Sequence, residues 1–406
     1  GVRSAAGPDP LTPFADYVGQ RFADDPHVWA TVLFDEVVEL GFDRSYQSFT
    51  RLLRARGLRP HCEACSGVTG RATVEIEHPP GEEIQWDWLE LPEAPWGGRA
   101  HVLVGSLPFS GRFRAVFAEA EDQPHLIWAM HQVMERLGGT ARRWRVDRLA
   151  TVIRPGTADV QASFVPVAKH YRVGVDPCPP RRGNRKGSVE KSIHYLTQRW
   201  WRTARVTTMA EAQASLDRFC ARIADKRRRP AGRFGPEVLA RAGAVEGIRP
   251  IVGLLATLED LAPLPVPFPA TVEATVNVGP SALVRFDGNA YSVPAGLLRA
   301  AVVCRWRLGT DRLDIATAAG MTVASHRLVP SGAGQIVRSA EHAAQLENVV
   351  LGGFTTDRPC STKTNRPPSS AALDLAARIT GHGAAEAVVV DLAAYQAAAD
   401  HRGGAR

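Results

Sequence analysis

Six cysteines in 406 residues, scattered apart from Cys62 and Cys65, are too few and too dispersed for a disulfide framework. A reducing compartment, the cytoplasm, is the economical expectation. No run approaches the roughly 20 apolar residues of a membrane span, and the chain opens with no secretory signal pattern. The HCEAC segment at 61–65 has the spacing of half a zinc site, but no second C-x-x-C or paired His set follows at finger spacing. No cysteine has the neighbours of a catalytic thiol. Acidic residues run short as well, 42 against 49 Lys and Arg, which leaves a net charge of +7.

What remains is the composition of an ordinary water-soluble globular protein, 45% hydrophobic and 22% charged, and long enough for several cores. The basic excess is local. Between 181 and 229, 14 Lys or Arg stand against 4 Asp or Glu, which exceeds the excess of the whole chain. Arg181, Arg182, Arg185, Lys186, Lys191 and the run Lys226 to Arg229 fall in it, and such a surface suits a phosphate backbone.

Three acids stand out by their settings. Asp87 lies in QWDW, a strand-like run in which Ile84, Trp86 and Trp88 point one way and Gln85, Asp87 and Leu89 the other. Asp147 ends the strand-like RRWRVD. Glu190 sits in NRKGSVE at the start of a helix expected over about 187–201, whose apolar stripe is Val189, Ile193, Leu196 and Trp200. Lys186, Glu190, His194 and Thr197 share a neighbouring polar face, on which Lys186 and Glu190 could equally pair with each other. The intervals of 60 and 43 residues leave room for a mixed sheet to bring the carboxylates together. Hard oxygen donors of this kind suit Mg²⁺, and two ions can serve the attacking and leaving oxygens of a phosphodiester.

Along the chain, 1–65 reads as a helical module with helices over about 13–23, 26–40 and 45–56, Gly41 in a turn and Ser45 as a cap. The last helix carries Arg51, Arg54 and Arg56, as in a helix-turn-helix. The span 72–205 alternates strands near 82–90, 100–107 and 112–119 with a helix opened by Asp122 and Pro124 and closed by Gly138-Gly139. RRWRVD, a helix near 157–171 troubled by Pro166, the strand YRVGV at 171–175 and the Glu190 helix follow. A basic helical extension covers 206–260, with MAEAQASLDRFCARIADKRRR as one amphipathic helix. A Pro-rich linker at 261–270 leads to strands and turns over 271–330, at Gly279-Pro280, Asp287-Gly288 and Ala319-Gly320. A polar tail from 331 to 406 ends in helices near 370–379 and 384–399.

Together, IEHPPGEEIQWDW, the GG before the second acid, HYRVGVDPCPPRRGNRKGSVEKS, AYSVPAGLLRAAV and ASHRL make the chain resemble DDE transposases of the IstA type, encoded by bacterial insertion sequences. The resemblance runs from about Pro10 to the tail. It implies a multidomain α+β protein with a ribonuclease H-like mixed-sheet catalytic core, the N-terminal helix-turn-helix-like module and a C-terminal small β-barrel. It also implies that Asp87, Asp147 and Glu190 ligate two Mg²⁺ ions, with Mn²⁺ as a substitute, for strand cleavage and 3′-OH transfer by in-line attack.

DNA at the element ends and target would be met by Arg51, Arg54, Arg148, Arg181, Arg182, Arg185, Lys186 and Lys191. Further implications are a homo-oligomer on DNA, an AAA+ ATPase helper and a helix-turn-helix preceding Gly1. One departure is Arg148, where the family commonly has Asn after the second acid. Two rivals are a catalytically silent, transposase-derived DNA-binding protein and a structure-specific nuclease on the same fold. The three acids favour the enzyme over the first, and the linker and C-terminal strands argue against the second.

Overall fold

The computed structural model describes residues 9–62, 76–91, 93–147, 149–178, 186–245, 247–353 and 367–380. The chain forms two units, Gly1–Ser339 and Ala340–Arg406. At the centre of the first is a five-stranded sheet of β1 (Glu83–Leu91), β2 (Ala100–Ser106), β3 (Phe113–Ala118), β4 (Arg143–Val146) and β5 (Gly174–Pro177), in the order β3-β2-β1-β4-β5. β1 to β3 pair antiparallel, whereas β4 runs parallel to β1 and β5 parallel to β4. Parallel neighbours need crossovers, and helices supply them.

Numbering helices along the whole chain, α1 to α3 precede the sheet and α4 (Gln123–Leu137) joins β3 to β4. Asp122 caps α4 by accepting from the His125 amide at 3.0 Å, and Gly138 ends it at φ +93°. Its Ile127, Met130, Met134 and Leu137 pack with Ile84, Trp86 and Trp144 on one face of the sheet. The two indoles meet edge to face at 6.0 Å. Gly105, opposite Trp86, has to be small there, because a methyl would come within 2.8 Å of that indole and 2.7 Å of Val133.

The other face is covered by α6 (Gly187–Arg199) and α7 (Met209–Phe219). Val189, Leu196 and Trp200 meet Val102, Val104, Phe113 and Phe117 there. Burial on both sides explains why β3 reads FRAVFA, without alternation.

Three local expectations are corrected. The helix expected near 157–171 is only α5, Val165–Tyr171, because Pro166 takes the first turn, where its missing N–H costs nothing. Arg172, at φ +56°, then ends it, so the next strand starts at Gly174 and not at 171. The helix drawn through Arg229 stops earlier: α7, with a Thr208/Glu211 capping box, passes into a π-helical turn at Cys220–Ala224. There Asp225 is held by Arg114 at 2.6 Å, and the chain beyond pairs as an extended segment with Ile251.

Two short helices follow, α8 (Pro236–Arg241) and α9 (Val252–Ala256). Residues 261–270 run extended along the core, with reciprocal backbone bonds between Thr140 and Ala262 and with Leu264 and Phe268 against the α4 side.

Beyond them lies an antiparallel sheet of β6 (Thr271–Asn277), β9 (Ala301–Arg307), β10 (Arg312–Thr317) and β11 (Thr322–Arg327). A smaller sheet of β7 (Leu283–Phe286), β8 (Asn289–Ser292) and β12 (Ile336–Val337) shares its core through Tyr291, Val302 and Ile315. Asp287 and Gly288, both at positive φ, make the expected hairpin turn.

The N-terminal helices α1 (Ala15–Asp24), α2 (Ala30–Glu39) and α3 (Tyr46–Ala55) enclose Phe22, Leu33 and Phe49. Ser45 caps α3 through the Ser48 amide, as expected. The bundle rests on α6 and the turn after it through Asp35 with Arg199, Asp25 with Arg202 at 2.9 Å, and Trp29 over His194.

In the second unit, α11 (Ser370–Thr380) answers to the helix expected near 370–379, while α10 (Ala340–Gly353) was not foreseen. Val349, Val350 and Leu351 are consecutive and exposed, so no clear stripe announced α10. The helix expected near 384–399 lies outside the described residues. Among those residues no helix is long and apolar enough to cross a membrane.

Candidate active site

Alternation along β1 turns Ile84 and Trp86 into the α4-side core and leaves Gln85 and Asp87 free to face α6. Because β4 lies parallel to β1, Asp147 follows β4 at the same edge of the sheet. Lys186, the residue before α6, enters between them. Its ammonium lies 2.7 Å from Asp87 Oδ1 and 3.5 Å from Asp147 Oδ2. The Lys186 side chain is only 4% exposed, against 25% for Asp87 and 60% for Asp147, so the cation is the enclosed partner.

Glu190, one turn further along α6, is exposed to solvent. Among the described residues no three His, Cys, Asp or Glu side chains lie close enough to hold a metal ion. Lys186 already neutralises much of the charge of the two aspartates. A third carboxylate brought in without another cation would add repulsion.

The geometry of α6 rests on a residue beside Asp87. Gln85, fully buried, accepts through Oε1 from the amides of Ser188 (3.1 Å) and Val189 (3.2 Å), two of the orphan donors of the first turn. Its Nε2 donates to Glu83 Oε1 at 2.7 Å. Glu83 in turn receives Arg145 Nε at 2.9 Å and lies 3.2 Å from His78 Nδ1. This chain of contacts fixes the helix that carries Lys186 and Glu190 against the strand that carries Asp87.

Burial alone would raise the Glu83 carboxyl, but the hydrogen bonds from His78, Arg145 and Gln85 overcome it and hold it down at about 2, from 4.5. A depressed carboxyl contributes stability that is present above pH 4.5 and lost as pH falls toward 2. A depression of this size corresponds to about 3 kcal/mol. Glu83→Gln should therefore narrow its stability gap to the parent protein across that acid window, read from urea midpoints at each pH. A gap that does not change with pH would remove Glu83 from this role.

Residues 264–338 match the family described as the C-terminal domain of Mu transposase. Over 348 residues the chain is 28% identical to the transposase for insertion sequence element IS21 of Pseudomonas aeruginosa, covering 84% of this chain and 82% of that protein. It is also 29% identical over 225 residues to the transposase for IS640 of Shigella sonnei, covering 53% and 68%.

Over most of its length the chain is similar to IS21-type (IstA-type) transposases.

Among solved structures, the HTLV-2 integrase catalytic core domain in complex with magnesium is 16% identical, covering 36% of this chain and 89% of that one, with a TM-score of 0.28. At that score the likeness adds nothing to the topology described above.

The other positions expected to serve the site and DNA are dispersed. Arg51 and Arg54 are exposed on α3, and Lys191 is exposed on α6. Lys186, expected at the DNA surface, is turned inward onto the acids, and it pairs with Asp87 and not with Glu190. Arg148, Arg181, Arg182 and Arg185 lie outside the described residues, as does Cys65, while Cys62 is half-buried.

Gln85 and Glu83 were missed as positioning residues. The one signal for Gln85 was that it shares the face of Asp87 in QWDW.

Proposed function

We propose that this IstA-type chain is an active DDE transposase. It binds the ends of an insertion sequence, hydrolyses a phosphodiester to free a 3′-OH, and directs that hydroxyl at target DNA. The observation that carries this reading is the approach of Asp87 and Asp147, from neighbouring parallel strands, to one enclosed cation.

The residues fit Mg²⁺. The donors are hard carboxylate oxygens, and the Lys186 ammonium stands where a positive charge is wanted. Asp87, Asp147 and Glu190 would hold two ions, and Mn²⁺ would substitute. When bound, the ions supply activation of the attacking oxygen and stabilisation of the leaving oxygen.

The chain's own part is positional. Gln85 and Glu83 hold the start of α6, and with it Glu190, over the sheet edge. No Ser, Tyr or Cys nucleophile is required. Arg51, Arg54, Arg148, Arg181, Arg182, Arg185 and Lys191 bind DNA at the ends and target, a role also open to Lys186 once it leaves the acids. The protein acts as a homo-oligomer on DNA with an AAA+ ATPase helper.

The test is cleavage of a labelled duplex carrying an element end, with Mg²⁺ or with EDTA. Release of a 3′-OH end in Mg²⁺ alone is expected. Tight end binding without cleavage in either Mg²⁺ or Mn²⁺ would instead assign the chain to the silent DNA-binding class.

Recognition should be separable from chemistry within the chain. Phe49 and Leu53 anchor α3 and leave Arg51 and Arg54 outward. Their joint replacement by Ala should weaken end-specific binding while cleavage of a pre-nicked substrate at saturating protein survives. Identical footprints on the element ends, with and without the substitutions, would make α3 a scaffold.

A further inference from the structure

A second concentration of charge lies against the first turns of α6. Arg228, Arg229 and Arg233, with Gly187, Ser188 and Lys191 of α6, line a cavity of about 530 Å³. Among the described residues that line it there is no Asp or Glu. Arg227, at its edge, is committed elsewhere: it donates to the Gly111 carbonyl at 2.9 Å and stacks on Tyr195 at 4.7 Å. Arg228 spends one N–H on the Arg249 carbonyl at 3.1 Å.

Arg229 is the informative member. Its backbone is tied to the Pro250 carbonyl at 2.7 Å, which keeps the side chain over the cavity. Its Nε is enclosed and has no hydrogen-bond partner among the described residues. Burial, then repulsion from Arg233 and Arg227, brings its guanidinium down to about 10. A desolvated, unpaired guanidinium is costly, and folds usually keep such groups only against an anion. The amides of Ser188 and Val189 do not supply this site, because Gln85 has taken them.

We infer that this cavity is a phosphate seat for the DNA backbone, with Arg228, Arg229 and Lys191 as its cations, and that it holds the strand lying across the α6 N-terminus beside Asp87 and Asp147. A guanidinium offers paired donors to the two free oxygens of a phosphodiester. Among the described lining residues there is no Trp, Tyr or Phe on which bases could stack, so the contact is to the backbone and indifferent to sequence. The inference rests on the transposase reading and adds to it a place where the backbone is gripped apart from the acids.

The experiment uses the full chain and two variants, Arg229→Gln and the surface double Lys191→Gln/Arg228→Gln, with labelled 30-base-pair duplexes of two unrelated sequences over a salt series. Each lost phosphate contact should lower the log–log salt slope by about 0.9. The double variant should therefore lose nearly two, equally on both sequences, and Arg229→Gln about one. Without DNA, Arg229→Gln should melt at or above the parent temperature, because it removes a half-buried guanidinium whose Nε has no hydrogen-bond partner among the described residues.

Unchanged slopes in both variants would overturn the seat while leaving the transposase reading intact. A melting temperature lowered by Arg229→Gln, with its slope unchanged, would make Arg229 a structural residue and overturn its part in the seat. Stabilisation of the parent by inorganic phosphate, lost in the variants while their duplex slopes stay at the parent value, would assign the cavity to a free anion. A parent protein that binds neither duplex would sink the function on which the inference rests.

Discussion

Asp87→Asn, Asp147→Asn and Glu190→Gln are each expected to abolish strand cleavage, by on the order of a thousandfold or more, while duplex affinity stays within a few-fold of the parent. The size follows from the chemistry: losing one carboxylate ligand weakens charge stabilisation of the transition state by several kcal/mol, and about 1.4 kcal/mol is tenfold in rate. Affinity survives because the backbone is held by cations elsewhere. Glu190→Gln is the most discriminating of the three. That side chain is exposed and outside the Lys186 contacts, so its loss should leave the unliganded protein as stable as the parent. Appreciable cleavage by any one variant, in Mg²⁺ and at saturating DNA, would remove that residue from the site.

Lys186→Met should have opposite effects with and without a divalent ion. In EDTA it leaves Asp87 without its 2.7 Å partner and facing a second carboxylate. Breaking an enclosed pair costs about 3–5 kcal/mol, and because Asp87 keeps some access to water the loss here should be nearer roughly 2–3 kcal/mol. In Mn²⁺ the same variant should recover most of that stability, since no ammonium then competes for the carboxylates. The parent protein, in which the metal must displace Lys186, should gain much less. Melting curves in EDTA and across a Mn²⁺ titration decide the matter. Equal metal-induced shifts in the two proteins would show that Lys186 does not occupy the metal's place.

A competing lysine also accounts for how the carboxylates lie. Two aspartates share one enclosed ammonium, which leaves the pair with a net charge of about −1, and the third carboxylate stays in water, where its charge costs least. The same contacts turn Lys186 toward the acids. On a helical wheel it falls beside Glu190, but Lys186 is the residue before α6, and its long stem reaches back under the strand ends. The wheel describes a face and cannot say what stands opposite it.

The strand that bears Asp87 was legible because alternation of Ile84 and Trp86 with Gln85 and Asp87 is a local pattern with a period of two. The caps at Asp122, Ser45 and Gly138 and the hairpin at Asp287-Gly288 were legible for the same reason: each depends on backbone groups within a few positions. Where local signals conflicted, the reading failed. Pro166 was expected to trouble a long helix and begins a short one, and MAEAQASLDRFCARIADKRRR kept helical periodicity past the point where Arg114 captures Asp225.

The sequence by itself determined the order and spacing of the three acids, the strand and helix that carry the first and the last, the concentration of Lys and Arg between 181 and 229, and, through longer motifs, the likeness to IstA-type transposases. Only the tertiary structure decided that Lys186 closes on Asp87 and Asp147, that Gln85 and Glu83 hold α6 in place, and that Arg229 lines a cavity with Arg228 and Lys191. The division is physical. Periodicity and capping act between residues near in sequence, whereas the partner of a charge is whichever group the fold brings within a few ångströms, however far away it lies in the chain.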